Sequence, residues 1–260
     1  LGIMPIVQPE SLKEPLFIQA LEELQPDIIV VVAFRIVPRS VYTLARLGAF
    51  NVHASLLPKY RGAAPINWAI INGEKETGVT SFLLADAVDT GAILAQRRVP
   101  IADAMTAGEL HDVLMPVAAD LAVETCSMLI SGNAYPLPQD DSLATPAPKI
   151  FRETCRIDWS KPTYVVRNHI HGVSPHPGAW TILPDGKLLK VIRCRIHQSC
   201  EQGLRAGEYC ITDYAWLAGC SDGVLELVEI HLEGKRRMLS HEYIRGVRGA
   251  RSGQFRSVAM

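Results

Sequence analysis

The sequence predicts an α/β domain followed by a small β-barrel. The first observation behind this is a continuous β-branched run, IIVVVA (28–33), of the kind buried on both faces of a sheet. The second is strand–helix–strand alternation within about 25 residues, which makes a βαβ unit. The third is about five short strand-like runs, separated by turn signals, in the last ~80 residues.

Taken in order, residues 1–15 are punctuated by proline and read as loop. PLFIQALEEL (15–24) has apolar positions at helical spacing, and Pro26-Asp27 ends that helix before the β-branched strand. PRSVYTLARL (38–47) opens on a proline tolerated in a first turn and stops before Gly48, as a helix does. The next strand begins at Phe50 and runs through Asn51 and His53, which a strand directs to one side. It ends in a proline-broken basic loop, SLLPKYRGAAP (55–65), followed by a helix from Ala64 to Asn72 that Gly73 stops.

VTSFLL (79–84) and Ile93–Pro100 are strands on either side of DAVDTG (86–91). Thr106–Ile130 is the longest helix, with an interruption or kink expected at Pro116. The proline-rich stretch 131–150 shows little apolar periodicity and reads as an interdomain linker. Beyond it a helix is expected over Lys161–His171, ended by Gly172. Strands follow at Ala179–Leu183, Leu188–Ile196, Glu208–Ile211, Ala215–Ala218 and Leu225–Leu232. Asp185-Gly186 and Asp222-Gly223 supply hairpin turns, and an oligonucleotide-binding type of barrel is among the options.

The 260 residues, 48% hydrophobic and 20% charged, describe a globular protein rather than a disordered or fibrous one. No run of about 18 apolar residues and no signal-peptide pattern stands out, so no membrane span is expected. Six cysteines without a C-x-x-C pair argue against a cysteine metal site and for free thiols in a reducing compartment. His169, His171 and His176 straddle a glycine and a proline and are expected on the surface. The net charge of -1 hides an asymmetry: residues 156–260 hold 15 Lys+Arg against 10 Asp+Glu, a net of +5. Such a half either meets a polyanion or simply carries solvated charges.

Asn51, His53 and Asp89 carry the chemistry. His53 can act as a base or, protonated, as an electrostatic stabiliser. The Asn51 amide can donate to an oxyanion developing on a carbonyl. Asp89, between two strands, can orient the imidazole. Together they suit acyl transfer through a tetrahedral intermediate with no covalent enzyme adduct. There is no G-x-S-x-G nucleophile elbow, and the single D-T-G lacks the second such loop an aspartic protease needs. No G-x-G-x-x-G follows a strand, which leaves a dinucleotide oxidoreductase without support. A nucleic-acid-binding module on a non-catalytic scaffold is the alternative of a different class.

NVHASLLPKYRGAAP (51–65), INWAIINGEKETGVT (66–80) and AVDTG (87–91) together resemble the folate-dependent formyltransferases, with the D-T-G loop 36 residues beyond the histidine. KIFRETCRIDW (149–159) and SPHPGAWT (174–181) extend the likeness across the linker. The resemblance is closest to the branch that formylates methionyl-initiator-tRNA. It implies a Rossmann-like catalytic domain over 1–130, a linker over 131–154 and an OB-like, tRNA-binding domain over 155–260. It also implies catalytic roles for Asn51, His53 and Asp89. By the same resemblance, 10-formyltetrahydrofolate is expected at Ser55, Leu56, Leu57 and Pro58, and at Val32, Ala33 and Phe34. No metal is implied. Lys59 and Arg61 are left between the folate tail, an RNA phosphate and plain solvation. A formyl group would pass to the α-amino group of methionyl-initiator-tRNA in a cytoplasmic monomer. An aminosugar nucleotide, a ribonucleotide amine or water is the alternative acceptor. The family pattern places a βαβ segment of roughly 70 residues ahead of Leu1, including its first strand and a basic RNA-contacting loop.

Overall fold

Apolar, β-branched Ile28–Val31 extends as β1, after a helix α1 over Pro15–Leu24 whose residues are all at least partly exposed. The structure is a computed structural model and describes residues 6–32, 36–198, 203–247 and 249–256. It contains two compact units. One comprises Leu1–Pro65, Glu76–Pro100 and Val113–Pro148, and the other Ile66–Lys75, Ile101–Asp112 and Lys149–Met260.

In the first unit α2 covers only Arg39–Tyr42, shorter than its sequence pattern. The chain leaves the helix because Arg46 and Leu47 donate their backbone N–H groups to Pro26 and Asp27, lining up β2 (Gly48–His53) beside β1. β1 and β2 run parallel, with Val31 opposite Asn51. After α3 (Pro65–Ile71) come β3 (Glu76–Leu83) and β4 (Ile93–Pro100), which add antiparallel in the order β1-β2-β3-β4. Among the described residues β1 pairs with β2 alone and Val30 is 43% exposed, while Ala33 lies outside the described residues. The doubly covered strand is β3, where Thr77 to Phe82 are all buried.

α4 (Ala107–Ile130) runs unbroken through Pro116. Its residues Leu110, Leu114, Leu121 and Thr125 fall on one helical face and are all buried. The Thr125 hydroxyl donates to Ser81 Oγ (2.8 Å) on β3. Among the described residues α4 alone is long and apolar enough to cross a membrane by length and composition. Its buried residues lie on one face, and Asp112, Asp120 and Glu124 are on the rest of its surface. The proline-rich stretch is no free linker. Leu137 exchanges both backbone hydrogen bonds with Ile93, and Ala147 bonds to Arg61 and Ala64, so residues 131–148 pack within the first unit.

The second unit contains α5 (Thr163–Gly172) and a seven-stranded antiparallel sheet. The strands are β5 (Ala179–Ile182), β6 (Leu188–Ile196), β7 (Glu208–Ile211), β8 (Trp216–Gly219), β9 (Val224–Leu232), β10 (Arg237–Leu239) and β11 (Ser252–Gln254). Their order is β11-β7-β8-β9-β6-β5, with β10 on β9. The sheet curls until its edges meet, and Arg256, just past β11, donates its N–H to Ile182 O of β5 (2.9 Å). Its interior is aromatic: Phe255 lies 4.9 Å from Trp159 and 5.0 Å from Tyr209 between ring centres, and Trp216 stacks on Tyr243. Tyr243 comes from α6 (Ser240–Gly246), which, like β10 and β11, the sequence reading leaves out.

Gly172 is part of α5 rather than its stop signal. A Cβ there would sit 2.4 Å from Ile71 Cγ1 and 3.0 Å from Asn67 O, so its absence lets α5 and α3 approach closely. The surface expectation for the histidines holds only for His176. His171 is 1% exposed because α5 turns it inward, where its Nε2 accepts the backbone N–H of Cys194 (3.2 Å), and His169 is half-buried. The five described cysteines are free thiols.

Candidate active site

β2 ends at His53, and the chain turns at once through Ser55–Arg61. Thr80 of β3, fully buried, holds that turn. Its hydroxyl donates to Ser55 O (2.7 Å) and accepts from Leu57 N (3.1 Å) and Gln96 Nε2 (2.9 Å), which uses all three of its bonding positions. Gln96 Nε2 also donates to Leu57 O (2.9 Å), and Ser55 Oγ donates to Lys59 O (2.6 Å). The turn brings the Tyr60 carbonyl back to His53 Nε2 at 2.8 Å. A carbonyl only accepts, so Nε2 carries the hydrogen.

Nδ1 of His53 then faces the Asp89 carboxylate, 3.7 Å away, with His53 7% and Asp89 10% exposed. The imidazole is further fixed by an edge-on contact with Phe82, 6.5 Å between ring centres. Asp89 sits at φ +55° in the β3–β4 loop, and its Oδ2 accepts the N–H of Gly62 (2.8 Å). Gly91 closes the same loop onto β3: a Cβ there would lie 1.6 Å from Leu83 O.

Behind the loop stands Gln139. Its Nε2 donates to the carbonyls of Asp89 and Gly91, each at 2.8 Å. Its Oε1 accepts from Arg61 Nε (3.1 Å) and Nη2 (2.7 Å), and Arg61 also pairs with Asp141 (2.7 Å). Arg61 is thereby paired within the protein, its side chain 16% exposed. Lys59 is exposed.

Asn51 opens onto a cleft whose walls include Val31, Ile36, Val37, Phe82 and Leu84 and whose rim runs along 85–89. Its Oδ1 is buried and has no hydrogen-bond partner among the described residues. A buried carboxamide atom in that condition is costly unless a ligand completes it. Asp86 borders the same cleft, and the Tyr42 hydroxyl (2.5 Å), helped by the Arg39 cation, keeps its carboxyl below the ordinary range.

The structure thus brings Asn51, His53 and Asp89 to one end of the sheet. Of the expected folate residues, Ser55 and Leu57 are buried and Leu56 and Pro58 half-buried, in the turn that follows β2. Val32 is 59% exposed one residue past β1, and Ala33 and Phe34 lie outside the described residues. Gln139, Thr80 and Gln96 carried no local signal; each acts on the loops from a distant point in the sequence. No group of three metal-ligating side chains occurs among the described residues.

The formyl transferase family matches residues 4–125, and the formyl transferase C-terminal domain matches residues 149–248. The methionyl-tRNA formyltransferase of Bacteroides thetaiotaomicron is 42% identical over 254 residues, covering 94% of this chain and 79% of its own length. That of Chlorobium chlorochromatii is 44% identical over 246 residues, covering 94% and 78%. Among solved structures, HypX from Aquifex aeolicus in complex with tetrahydrofolic acid superposes with a TM-score of 0.67 at 21% identity, covering 93% of this chain and 44% of that one. The sugar 3N-formyl transferase WlaRD superposes at 0.64 with 20% identity, covering 83% and 77%. These two show the fold alone. By its two family matches and its relatives at more than 40% identity, the chain belongs to the methionyl-tRNA formyltransferase family of formyl transferases.

Proposed function

We propose that this protein transfers the formyl group of 10-formyltetrahydrofolate to the α-amino group of methionyl-initiator-tRNA, giving N-formylmethionyl-tRNA. One observation carries the assignment of the site. The unsatisfied Asn51 carboxamide, the His53 imidazole and the Asp89 carboxylate converge beside an apolar-walled cleft. Apolar walls with a few convergent polar groups suit a flat heteroaromatic ligand. We place the folate ring system against Val31, Phe82 and Leu84, with backbone groups of 85–89 reading its polar edge. We keep Ser55, Leu56, Leu57 and Pro58, in the turn that follows β2, among its contacts.

In this reading the amine attacks the formyl carbon, and the carbonyl oxygen takes the displaced electron pair. Asn51 donates to that oxygen in the tetrahedral intermediate, where the bond strengthens as charge develops. His53, with its Nε2 hydrogen tied to the Tyr60 carbonyl, presents Nδ1 to the proton that the amine nitrogen sheds once its bond to the formyl carbon has formed. Asp89 stabilises the imidazolium so formed. Collapse breaks the bond to the folate nitrogen, which takes as it leaves the proton that His53 received from the amine, returning the imidazole to its neutral form.

We assign catalysis to residues 1–130 and RNA contact to residues 155–260, with 131–154 between them, and expect a cytoplasmic monomer. Formyl transfer from 10-formyltetrahydrofolate to charged initiator tRNA, measured beside an aminosugar nucleotide and a ribonucleotide amine, tests the acceptor. Formylated tRNA in strong preference to the small amines supports the reading. Unformylated tRNA with a formylated small amine overturns it.

A further inference from the structure

Several arginines of the C-terminal half are paired with carboxylates where they stand. In the second unit Arg195 pairs with Glu226, Arg237 with Glu229, Arg236 with Glu242 and Arg251 with Asp213. Cations so neutralised contribute little to holding a polyanion. Two others are placed differently. Lys149 Nζ stands 5.8 Å from the ring centre of Phe151, and the Arg152 guanidinium 5.8 Å from that of Trp180. Neither cation makes an ion pair with a carboxylate among the described residues. The Trp180 indole N–H donates to Arg152 O (2.9 Å), which fixes the second pair. Lys190, opposite Trp180 in the β5–β6 register, adds a third cation and donates Nζ to Pro177 O (2.8 Å). Phe151 is 58% exposed. The one carboxylate in this run, Glu153, is exposed.

We infer that Phe151 and Trp180, with Lys149 and Arg152, form a stacking platform for unpaired nucleotides of the RNA substrate. This rests on the reading above that the acceptor is a charged tRNA. An exposed ring accepts a base by stacking whatever its identity, and the cations that lie over the rings meet the flanking phosphates. A duplex hides its base faces and offers the platform only its backbone.

The test uses the whole protein with Phe151→Ala, Phe151→Leu and Phe151→Tyr. Because Phe151 is largely exposed, these substitutions leave the core untouched. Loss of one stacked base predicts a rise in KM for charged tRNA of roughly 5- to 100-fold in the Ala and Leu variants. Their KM for 10-formyltetrahydrofolate stays at the wild-type value, and Phe151→Tyr restores tRNA binding. A single-stranded tetranucleotide competes with tRNA, and an RNA duplex of equal length does not. Ala and Leu variants within about twofold of wild type in tRNA KM overturn the platform, as does a duplex that competes equally well. Failure of the wild-type protein itself to formylate charged tRNA overturns the underlying reading instead, and this inference with it.

Discussion

The carboxamide nitrogen of Gln139 donates to the backbone carbonyl of Asp89 across 2.8 Å and 50 residues of sequence. A second bond to Gly91 O and two acceptor contacts from Arg61 make Gln139 the strut of the loop that holds the carboxylate facing His53. Gln139 touches neither His53 nor Asn51, so its effect passes through the position of Asp89. Gln139→Ala is expected to lower kcat by roughly 10- to 100-fold, the worth of one or two buried hydrogen bonds at the geometry of the site. KM for tRNA should stay near wild type, because on the proposed reading RNA contact lies in residues 155–260. Steady-state kinetics beside a thermal melt check this, and a melt shifted with kcat unchanged would assign Gln139 to stability alone.

Asn51→Ala removes the carboxamide whose Oδ1 is left unsatisfied in the free protein. A donor that strengthens only as the oxyanion forms is worth about 10²–10³ in kcat. The folded protein should lose nothing and could gain slightly, since the substitution deletes a buried polar atom without a partner. A large fall in kcat with an unchanged or raised melting temperature is the expected pair of results. Retention of near-wild-type kcat would remove Asn51 from the chemistry.

Thr80→Val keeps shape and deletes a hydroxyl that serves three partners. Ser55 O loses its donor, and Leu57 N and Gln96 lose their acceptor inside a fully buried site. The expected cost is about 2–4 kcal/mol of stability, read from urea unfolding. Thr80→Ser, which keeps the hydroxyl, should recover most of it.

The sequence carried the site's chemistry more clearly than its scaffolding. Asn51 and His53 are two apart on one strand, and period-two geometry alone places them together. Asp89 was legible through the D-T-G turn, whose left-handed aspartate and space-starved glycine a short motif encodes. Gln139 was not, because a lone glutamine in a proline-rich stretch has no periodicity, and its partners lie about as far away as 78 residues. The same stretch looked like a linker because proline suppresses regular structure. Proline does not prevent packing, and Leu137 pairs with Ile93 without needing a strand pattern. β10 and β11 are three-residue strands, too short for any alternation to be read.

His171 supplies a prediction on stability rather than catalysis. Burial lowers its pKa to about 4, and the neighbouring Arg193 and Arg167 cations push the same way, against a weaker pull from Glu109. Its Nε2 accepts the Cys194 N–H, a bond only the unprotonated nitrogen can make. In the unfolded chain the same side chain titrates near 6.5. Between those two values the unfolded state takes up a proton that the folded state refuses. Stability therefore falls as pH drops from about 6.5 toward 4, by up to roughly 3 kcal/mol from this residue. Above pH ~7 both states are neutral at this position and the contribution is flat. Urea midpoints measured from pH 7.5 to 4.5 should decline steeply in the wild type and less steeply in His171→Asn, which cannot titrate. The variant is less stable at pH 7.5 because it leaves part of a buried space unfilled, so the slopes, and not the absolute midpoints, decide. Equal slopes would mean that His171 is protonated in the folded protein and that another group carries the acid sensitivity.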